Sequence, residues 1–361
     1  MTSLSGAELK AIVAALHDPH TGQGLGDAVR GLAVEDGKVA VDIVLGYPAS
    51  GWREELIAVV TAALKGEGAV TAVTVDVGWE IPRHAVQNGL TPLEGVGNII
   101  AVASGKGGVG KSTVAANLAL ALQAEGAKVG VLDADVYGPS QPRMLGLDAE
   151  QLKTTENRRI LPLEAHGLQA MSIGVLVQAD QAMIWRGPMA TQALQQMVAE
   201  TLWQDLDYLI VDLPPGTGDI QLTLAQRIPV AGAVTVTTPQ EVAVDDVRRA
   251  VAMFNKVRIP TLGVIENMST HICSNCGHEE DVFGTGGGER IARETGLAFL
   301  GQIPLDAGLG RSTDQGNPIV AADPQHPVAL RFREIARKAA ARLSLQARNQ
   351  AIKMPKIRIV E

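Results

Sequence analysis

Asn98-Ile-Ile-Ala-Val-Ala-Ser-Gly-Lys-Gly-Gly-Val-Gly-Lys-Ser-Thr113 is an apolar run that breaks into a glycine-rich turn. An Ala/Leu-rich run, Val114 to Glu125, follows it. Strand, loop and helix in that order are the setting of a phosphate loop. Gly105, Gly110, Lys111 and Ser112 satisfy G-x-x-x-x-G-K-[ST]. Glycine lets the backbone turn so sharply that successive N–H groups face phosphate oxygens. The helix that follows adds the positive end of its dipole. Gly105, Lys106, Gly107, Gly108, Val109, Gly110, Lys111, Ser112 and Thr113 are therefore the expected nucleotide cradle. Lys111 is expected on the β- and γ-phosphates, and the Ser112 hydroxyl in the shell of Mg²⁺.

Around this loop, short β-branched runs alternate with helical runs. Strands are expected at Ile99–Ala103, Lys128–Leu132, Tyr208–Val211, Ala233–Thr237, Leu262–Glu266 and Phe299–Ile303. Helices are expected at 112–125, 188–204, 219–227, 241–256 and 287–295. The pattern predicts an α/β fold with a doubly wound, mostly parallel sheet, and a ligand at the carboxyl ends of its strands. A last helix, about Val328 to Ala347, carries Val328, Phe332, Ile335, Ala339 and Leu343 on one stripe. Arg331, Arg333, Arg337, Lys338 and Arg342 form its other face, read as a solvated basic side.

Residues 1–80 read as a separate small α+β domain. Leu4–Leu16 and Trp52–Lys65 have helical spacing, whereas Lys38–Leu45 and Ala69–Val77 alternate as strands. Residues 81–97, with Pro82 and Pro92, read as a linker, 98–347 as the nucleotide domain, and 348–361 as a loosely held tail.

The 361 residues carry a formal net charge of −8, and 46% are hydrophobic. An acidic chain is a poor general nucleic-acid binder, so no stable nucleic-acid partner is expected. No apolar run reaches the ~20 residues of a membrane span, and the first residues lack the pattern of a signal peptide, so a cytoplasmic location is expected. His17, His20, His84, His166 and His326 are read as surface or loop residues.

Two acidic strand ends carry chemistry beside the loop. Asp133-Ala-Asp135 closes the second strand, where carboxylates serve Mg²⁺ or the attacking water. Asp212-Leu-Pro-Pro-Gly-Thr-Gly-Asp219 closes the third, an apolar run ending in Asp that marks a Walker B site. Asp212 is the expected metal residue, and Gly216 can offer its N–H to the γ-phosphate. Cys273-Ser-Asn-Cys276 holds both cysteines of the chain. The pair presents two thiolates to a soft metal, and His271, His278 or a second copy of the chain would complete the shell. A redox pair or two inert thiols are the other readings of the same spacing.

Lys106 makes this a deviant Walker A loop. The chain resembles that class, which includes the Mrp/ApbC iron–sulfur carriers and the MinD and ParA positioning ATPases. Asp133-Ala-Asp-Val-Tyr-Gly-Pro-Ser140, Trp185-Arg-Gly-Pro188, Asp212–Asp219, Glu266-Asn-Met268, Cys273-Ser-Asn-Cys-Gly277 and Phe283-Gly-Thr-Gly-Gly-Gly288 look specifically like Mrp/ApbC. Residues 1–80 resemble the iron–sulfur-assembly domain often fused in front of that family. The resemblance implies an ATPase that works as a homodimer. It implies a 4Fe–4S cluster bridged by Cys273 and Cys276 of both copies and passed to apo iron–sulfur proteins, in company with cluster-assembly scaffolds. It further implies that Asn267 reads the adenine and that Asp135 orients the attacking water. Lys106 would reach phosphates held by the facing subunit, which makes Lys106, Lys111, Asp135 and Asp212 the catalytic set. A positioning or scaffold ATPase, and a Zn²⁺-stabilised regulatory ATPase, are the competing functions.

Overall fold

The computed structural model describes residues 5–67, 70–87, 89–148, 152–157, 159–176, 187–273 and 275–349. Trp185, Ser274 and the tail 350–361 lie outside them.

The amino-terminal part starts with α1 (Gly6–Ala15), which opens on a capping box between Ser5 and Glu8. The short pair β1 (His17–Asp18) and β2 (Gln23–Gly24) follows. Next come β3 (Val29–Glu35), β4 (Lys38–Leu45), α2 (Arg53–Lys65) and β5 (Ala72–Trp79). β3 and β4 are antiparallel, and β4 and β5 run parallel with α2 as the crossover. The expected helices and strands of this part are present within a few residues. β3 is an addition to the expected set. A register shift between Val29 and Gly31 breaks its alternation, so no period-two pattern marks it. Asp36-Gly37, with φ of 49° and 76°, is the hairpin signal that identifies it.

The larger part begins with β6 (Val96–Ser104), α3 (Lys111–Ala124), β7 (Val129–Asp133) and the short α4 (Gln141–Leu145). β8 (Leu163–Ala165), β9 (Leu168–Ser172), α5 (Ile173–Leu176), α6 (Gly187–Glu200), β10 (Leu206–Asp212) and α7 (Asp219–Arg227) follow. Then come β11 (Gly232–Thr237), α8 (Glu241–Lys256), β12 (Thr261–Ile272), β13 (Glu279–Glu280) and α9 (Gly287–Thr295). β14 (Phe299–Leu305), α10 (Ala307–Asp314), α11 (Ile319–Ala322) and α12 (Pro327–Ser344) complete it. Among the described residues the strands form one sheet in the order β13-β12-β11-β6-β10-β7-β9-β8, with β14 also on β12. All pairs are parallel except β12–β13 and β8–β9. The chain leaves β6 for β7, returns to β10, then crosses β6 to β11. That reversal opens a crevice at the carboxyl end of β6, where the phosphate loop stands. β8 and β9 are absent from the expected strands, because residues 163–172 hold turn residues and only short apolar runs.

Each face of the sheet has its own core. One gathers Val114, Leu118, Phe332 and Ile335 together with Trp52, Leu56 and Val60 of the amino-terminal part. The other gathers Leu194, Met197, Leu224 and Phe254. α3 is buried all round, which its Ala/Leu composition permits, because it lies between the sheet, α12 and the amino-terminal part.

The segment read as a linker over 81–97 holds no helix or named strand before β6 starts at Val96, and hydrogen bonds hold it in place. Asn98 Oδ1 accepts from the His84 main-chain N–H at 3.0 Å and faces its Nδ1 at 2.9 Å, and Ala85 donates to Ala347 O at 2.8 Å. His20 and His84 are accordingly buried, not surface residues. Finally, the basic face of α12 is only partly solvated. Arg333 and Arg337 turn inward onto Glu125, the fully buried C-cap of α3, at 2.7 and 2.8 Å. Gly51 donates its N–H to the same carboxylate at 2.7 Å. Arg337 Nε also reaches His20 Nε2 at 3.1 Å, so the two parts of the chain share one buried polar cluster.

Candidate nucleotide site and cysteine knuckle

The phosphate loop leaves β6 at Ser104, whose hydroxyl donates to Lys106 O at 2.8 Å. It enters α3 through Gly110, which takes φ 77° as N-cap. A Cβ on Gly110 would stand 2.2 Å from Asn267 Nδ2, so both conformation and space demand glycine there. Gly107 differs, since a Cβ on it would meet nothing within 4 Å. The space it leaves open belongs to a cavity of about 300 Å³ lined by Lys106, Gly107, Lys111, Ser112, Asp135 and Ser140. No side chain caps α3, so the N–H groups of its first turn stay available to an anion.

Lys111 is buried, and its ammonium is paired with Asp212 and lies 3.3 Å from Ser112 Oγ. Parallel pairing sets Asp212 directly beside Asp133, and both are fully buried. Asp133 accepts four hydrogen bonds at 3.0 to 3.1 Å, from the N–H groups of Asp135, Ser140 and Gln141 and from Ser172 Oγ. Burial and the neighbouring Asp212 charge nevertheless push its carboxyl up to about 7. It is thus a loop anchor, and Asp135 is the carboxylate that reaches the cavity. Asp135 takes the N–H groups of Tyr137 and Gly138 at 3.3 Å, and burial raises its carboxyl while Lys111 lowers it.

Ser112 and Asp212, predicted to hold Mg²⁺, stand together with Asp135 around Lys111. Their oxygen donors suit a hard cation. Ser140 Oγ and Gln141 Oε1, buried beside them, have no hydrogen-bond partner among the described residues. This donor set fits the group. Sequence reading missed Gln141 and Ser172, since an isolated Gln at a helix start or Ser at a strand end carries no periodic or motif signal.

Two other predicted residues stand at the site with their donors already engaged. The Gly216 N–H donates to Ser104 O at 2.9 Å, so in this conformation it is not offered to a phosphate. Asn267 Nδ2 donates to Val109 O at 2.9 Å and so braces the loop from β12. Lys106 is half-buried at the loop's edge and has no ion-pair partner among the described residues.

β12 also leads to the cysteines. After Asn267, Met268 takes φ 56° and the pairing with β14 shifts register before His271. The strand then ends at Ile272, and the turn that follows begins at Cys273. Cys273 N–H donates to His278 O at 2.9 Å, and Gly277, at φ 71°, donates to Cys273 O at 2.8 Å. Main-chain N–H groups of Asn275 and Cys276, then the Cys276 side chain, lower the Cys273 thiol. Cys276 is exposed. The His271 ring faces Leu305 O at 3.3 Å. Among the described residues no three His, Cys, Asp or Glu side chains gather to hold a metal, so neither histidine is grouped with the two cysteines in this structure.

The family described as NUBPL iron-transfer P-loop NTPase matches residues 95–340, which covers the loop, both acidic strand ends and the cysteines. The chain belongs to this family. A second family, described as iron-sulfur cluster assembly protein, matches residues 7–76. An iron-sulfur cluster carrier protein of Salmonella typhimurium is 57% identical over 254 residues, 70% of this chain and 69% of the relative. One from Haemophilus influenzae is 48% identical over 306 residues, 85% and 83% of the two chains. A nucleotide-binding protein from Archaeoglobus fulgidus, solved with ADP, is 36% identical with a TM-score of 0.57, covering 66% of this chain and 92% of that one. The NUBPL-type P-loop NTPase is thus a doubly wound α/β domain. None of its described helices is long and apolar enough to cross a membrane.

Proposed function

We propose that this NTPase is an ATP-dependent iron–sulfur cluster carrier that acts as a homodimer. The observation that carries the reading is the knuckle: two cysteines in an exposed turn, with no third ligand gathered near them among the described residues. Two such turns supply the four thiolates of a 4Fe–4S cluster, which is the cargo. Delivery to apo iron–sulfur proteins follows from the names of the relatives and from the exposure of the turn.

In this reading ATP lies on the loop, with its phosphates over the N–H groups of residues 107–113. Lys111 exchanges Asp212 for the β- and γ-phosphates, and Asp135 holds the attacking water. Ser112 and Asp212 would hold Mg²⁺, which would supply charge neutralisation at the phosphates. Asn267 trades part of its hold on Val109 for the adenine edge, and the same strand leads to Cys273. Lys106, unpaired in one chain, points its charge at the phosphates of the partner subunit. The site residues, the two-part organisation and a cytoplasmic location belong to this proposal.

Anaerobic reconstitution tests the cargo. Wild type is expected to hold about four irons per dimer and to absorb broadly near 400 nm, and Cys273→Ser to lose both. Equal iron in the two proteins would remove the reading, and stoichiometric zinc in freshly isolated protein would favour a structural knuckle. Lys106→Ala tests the facing-subunit lysine. ATP binding should survive through Lys111, while turnover falls on the order of 10³-fold, the scale of a cation supplied in trans. Turnover equal to wild type would take Lys106 out of the mechanism.

A further inference from the structure

Gln141 is fully buried at the start of α4, between the phosphate-loop helix and the strand that ends in Asp212. Its side-chain amide has two hydrogens, and both are in use. Nε2 donates to the Ser112 carbonyl and to Asp212 Oδ2, each at 3.0 Å. Its main-chain N–H donates to Asp133 Oδ2, also at 3.0 Å. Its Oε1 has no hydrogen-bond partner among the described residues. Turning the amide over would set that oxygen against a carbonyl and a carboxylate, both acceptors, so the neighbours fix its orientation. One residue thereby touches the first turn of α3, the Asp212 carboxylate and the Asp133 anchor.

Asp212 is held at both oxygens, Oδ1 by Lys111 and Oδ2 by Gln141. The two contacts are not equivalent once a nucleotide arrives. Lys111 is the residue that moves to phosphate, and the Asp212 carboxylate then loses its counter-charge. Gln141 remains. We infer that Gln141 is a positioning residue for divalent-cation binding at this site. It keeps Asp212 aimed at the cation after Lys111 has left, and its spare Oε1 takes a hydrogen bond from water around that cation. A buried acceptor without a partner is costly, and such a water removes that cost. The inference rests on the ATPase reading of the loop and adds a residue that neither the loop motif nor the acidic strand ends include.

The test uses the full chain and a fluorescent N-methylanthraniloyl ATP analogue, titrated with Mg²⁺ and separately in EDTA. Gln141→Met keeps the length and loses the hydrogen bonds, and Gln141→Asn keeps the amide but is too short to span both partners. In both variants the Mg²⁺ concentration for half-maximal binding is expected to rise about tenfold, the usual effect of losing an outer-shell partner. Affinity in EDTA should stay within about twofold, and Mn²⁺ uptake read by electron paramagnetic resonance should weaken in parallel. An unchanged Mg²⁺ half-point in both variants, with only a lower melting temperature, overturns the inference and leaves Gln141 a packing residue. A wild-type chain that binds the analogue without any Mg²⁺ dependence overturns the site reading and this inference together.

Discussion

Lys111→Met lowers kcat/KM for ATP by at least about 10³-fold and makes folding stability fall more steeply with pH. The first effect follows from the loop: among the described residues that line the cavity, Lys111 is the buried cation and Lys106 the other one. Removing a transition-state contact to phosphate of this kind is worth several kcal/mol. The second effect comes from what Lys111 leaves behind. Asp133, Asp135 and Asp212 are all at least nine-tenths buried and would share no cation. Burial already raises the carboxyls of Asp133 and Asp135, and Lys111 opposes that rise at Asp135. A carboxyl raised in the folded state contributes stability that is full below its unfolded value of about 3.8–3.9 and is lost as pH climbs through the folded one. For Asp133 the folded value is about 7, so its loss spans the range from pH 4 to 7 in wild type. In Lys111→Met the Asp135 carboxyl rises further, and the decline becomes steeper by up to about 1.4 kcal/mol per pH unit for each added proton. Urea unfolding at pH 5, 6, 7 and 8, alongside equilibrium ATP binding, reads both effects. A variant that binds ATP like wild type, or loses the same stability at every pH, contradicts this account.

Glu125→Ala is expected to cost about 3–5 kcal/mol, the scale for breaking a buried ion pair from one side. Glu125 stands at the C-terminal end of α3, where a negative charge opposes the helix dipole, and two guanidinium groups compensate it. Its loss would leave Arg333 and Arg337, at 17% and 14% side-chain exposure, without the carboxylate that pairs them both. The Gly51 N–H would lose its acceptor too. Because Gly51 and His20 belong to the amino-terminal part, the damage should concentrate at its seam with α3 and α12. Hydrogen exchange in residues 6–80 should accelerate before exchange in β6 or β10 does. Glu125→Gln, which keeps acceptors and loses charge, should fall between the two. A melting temperature within a degree of wild type for Glu125→Ala would mean that the cluster is dispensable.

The loop at residues 105–113 and the two acidic strand ends were legible because each depends on local chemistry: glycine where the backbone must turn, an amine and a hydroxyl at fixed offsets, a carboxylate where an apolar run stops. The parallel strands were legible because burial on both faces demands continuous β-branched runs. β3 and β9 were not, since β3 carries a bulge at its start and β9 has only five residues. The knuckle was legible as a pair of ligands but not in its surroundings. His271 and His278 flank it in sequence, yet His271 faces Leu305 O and neither joins the cysteines.

What the sequence determined by itself was the phosphate-binding loop, the order of strands and helices around it, and a two-thiolate turn, because the residues within each motif suffice for its chemistry. Only the tertiary structure decided how the motifs are joined. Gln141 meets Ser112 and Asp212 across 29 and 71 residues of chain, Asn267 meets Val109 across 158, and Arg337 meets Glu125 across 212. Such contacts arise when strands distant in sequence become neighbours in one sheet. They leave no periodicity along the chain, because each partner is a single polar residue whose role exists only once the other is beside it.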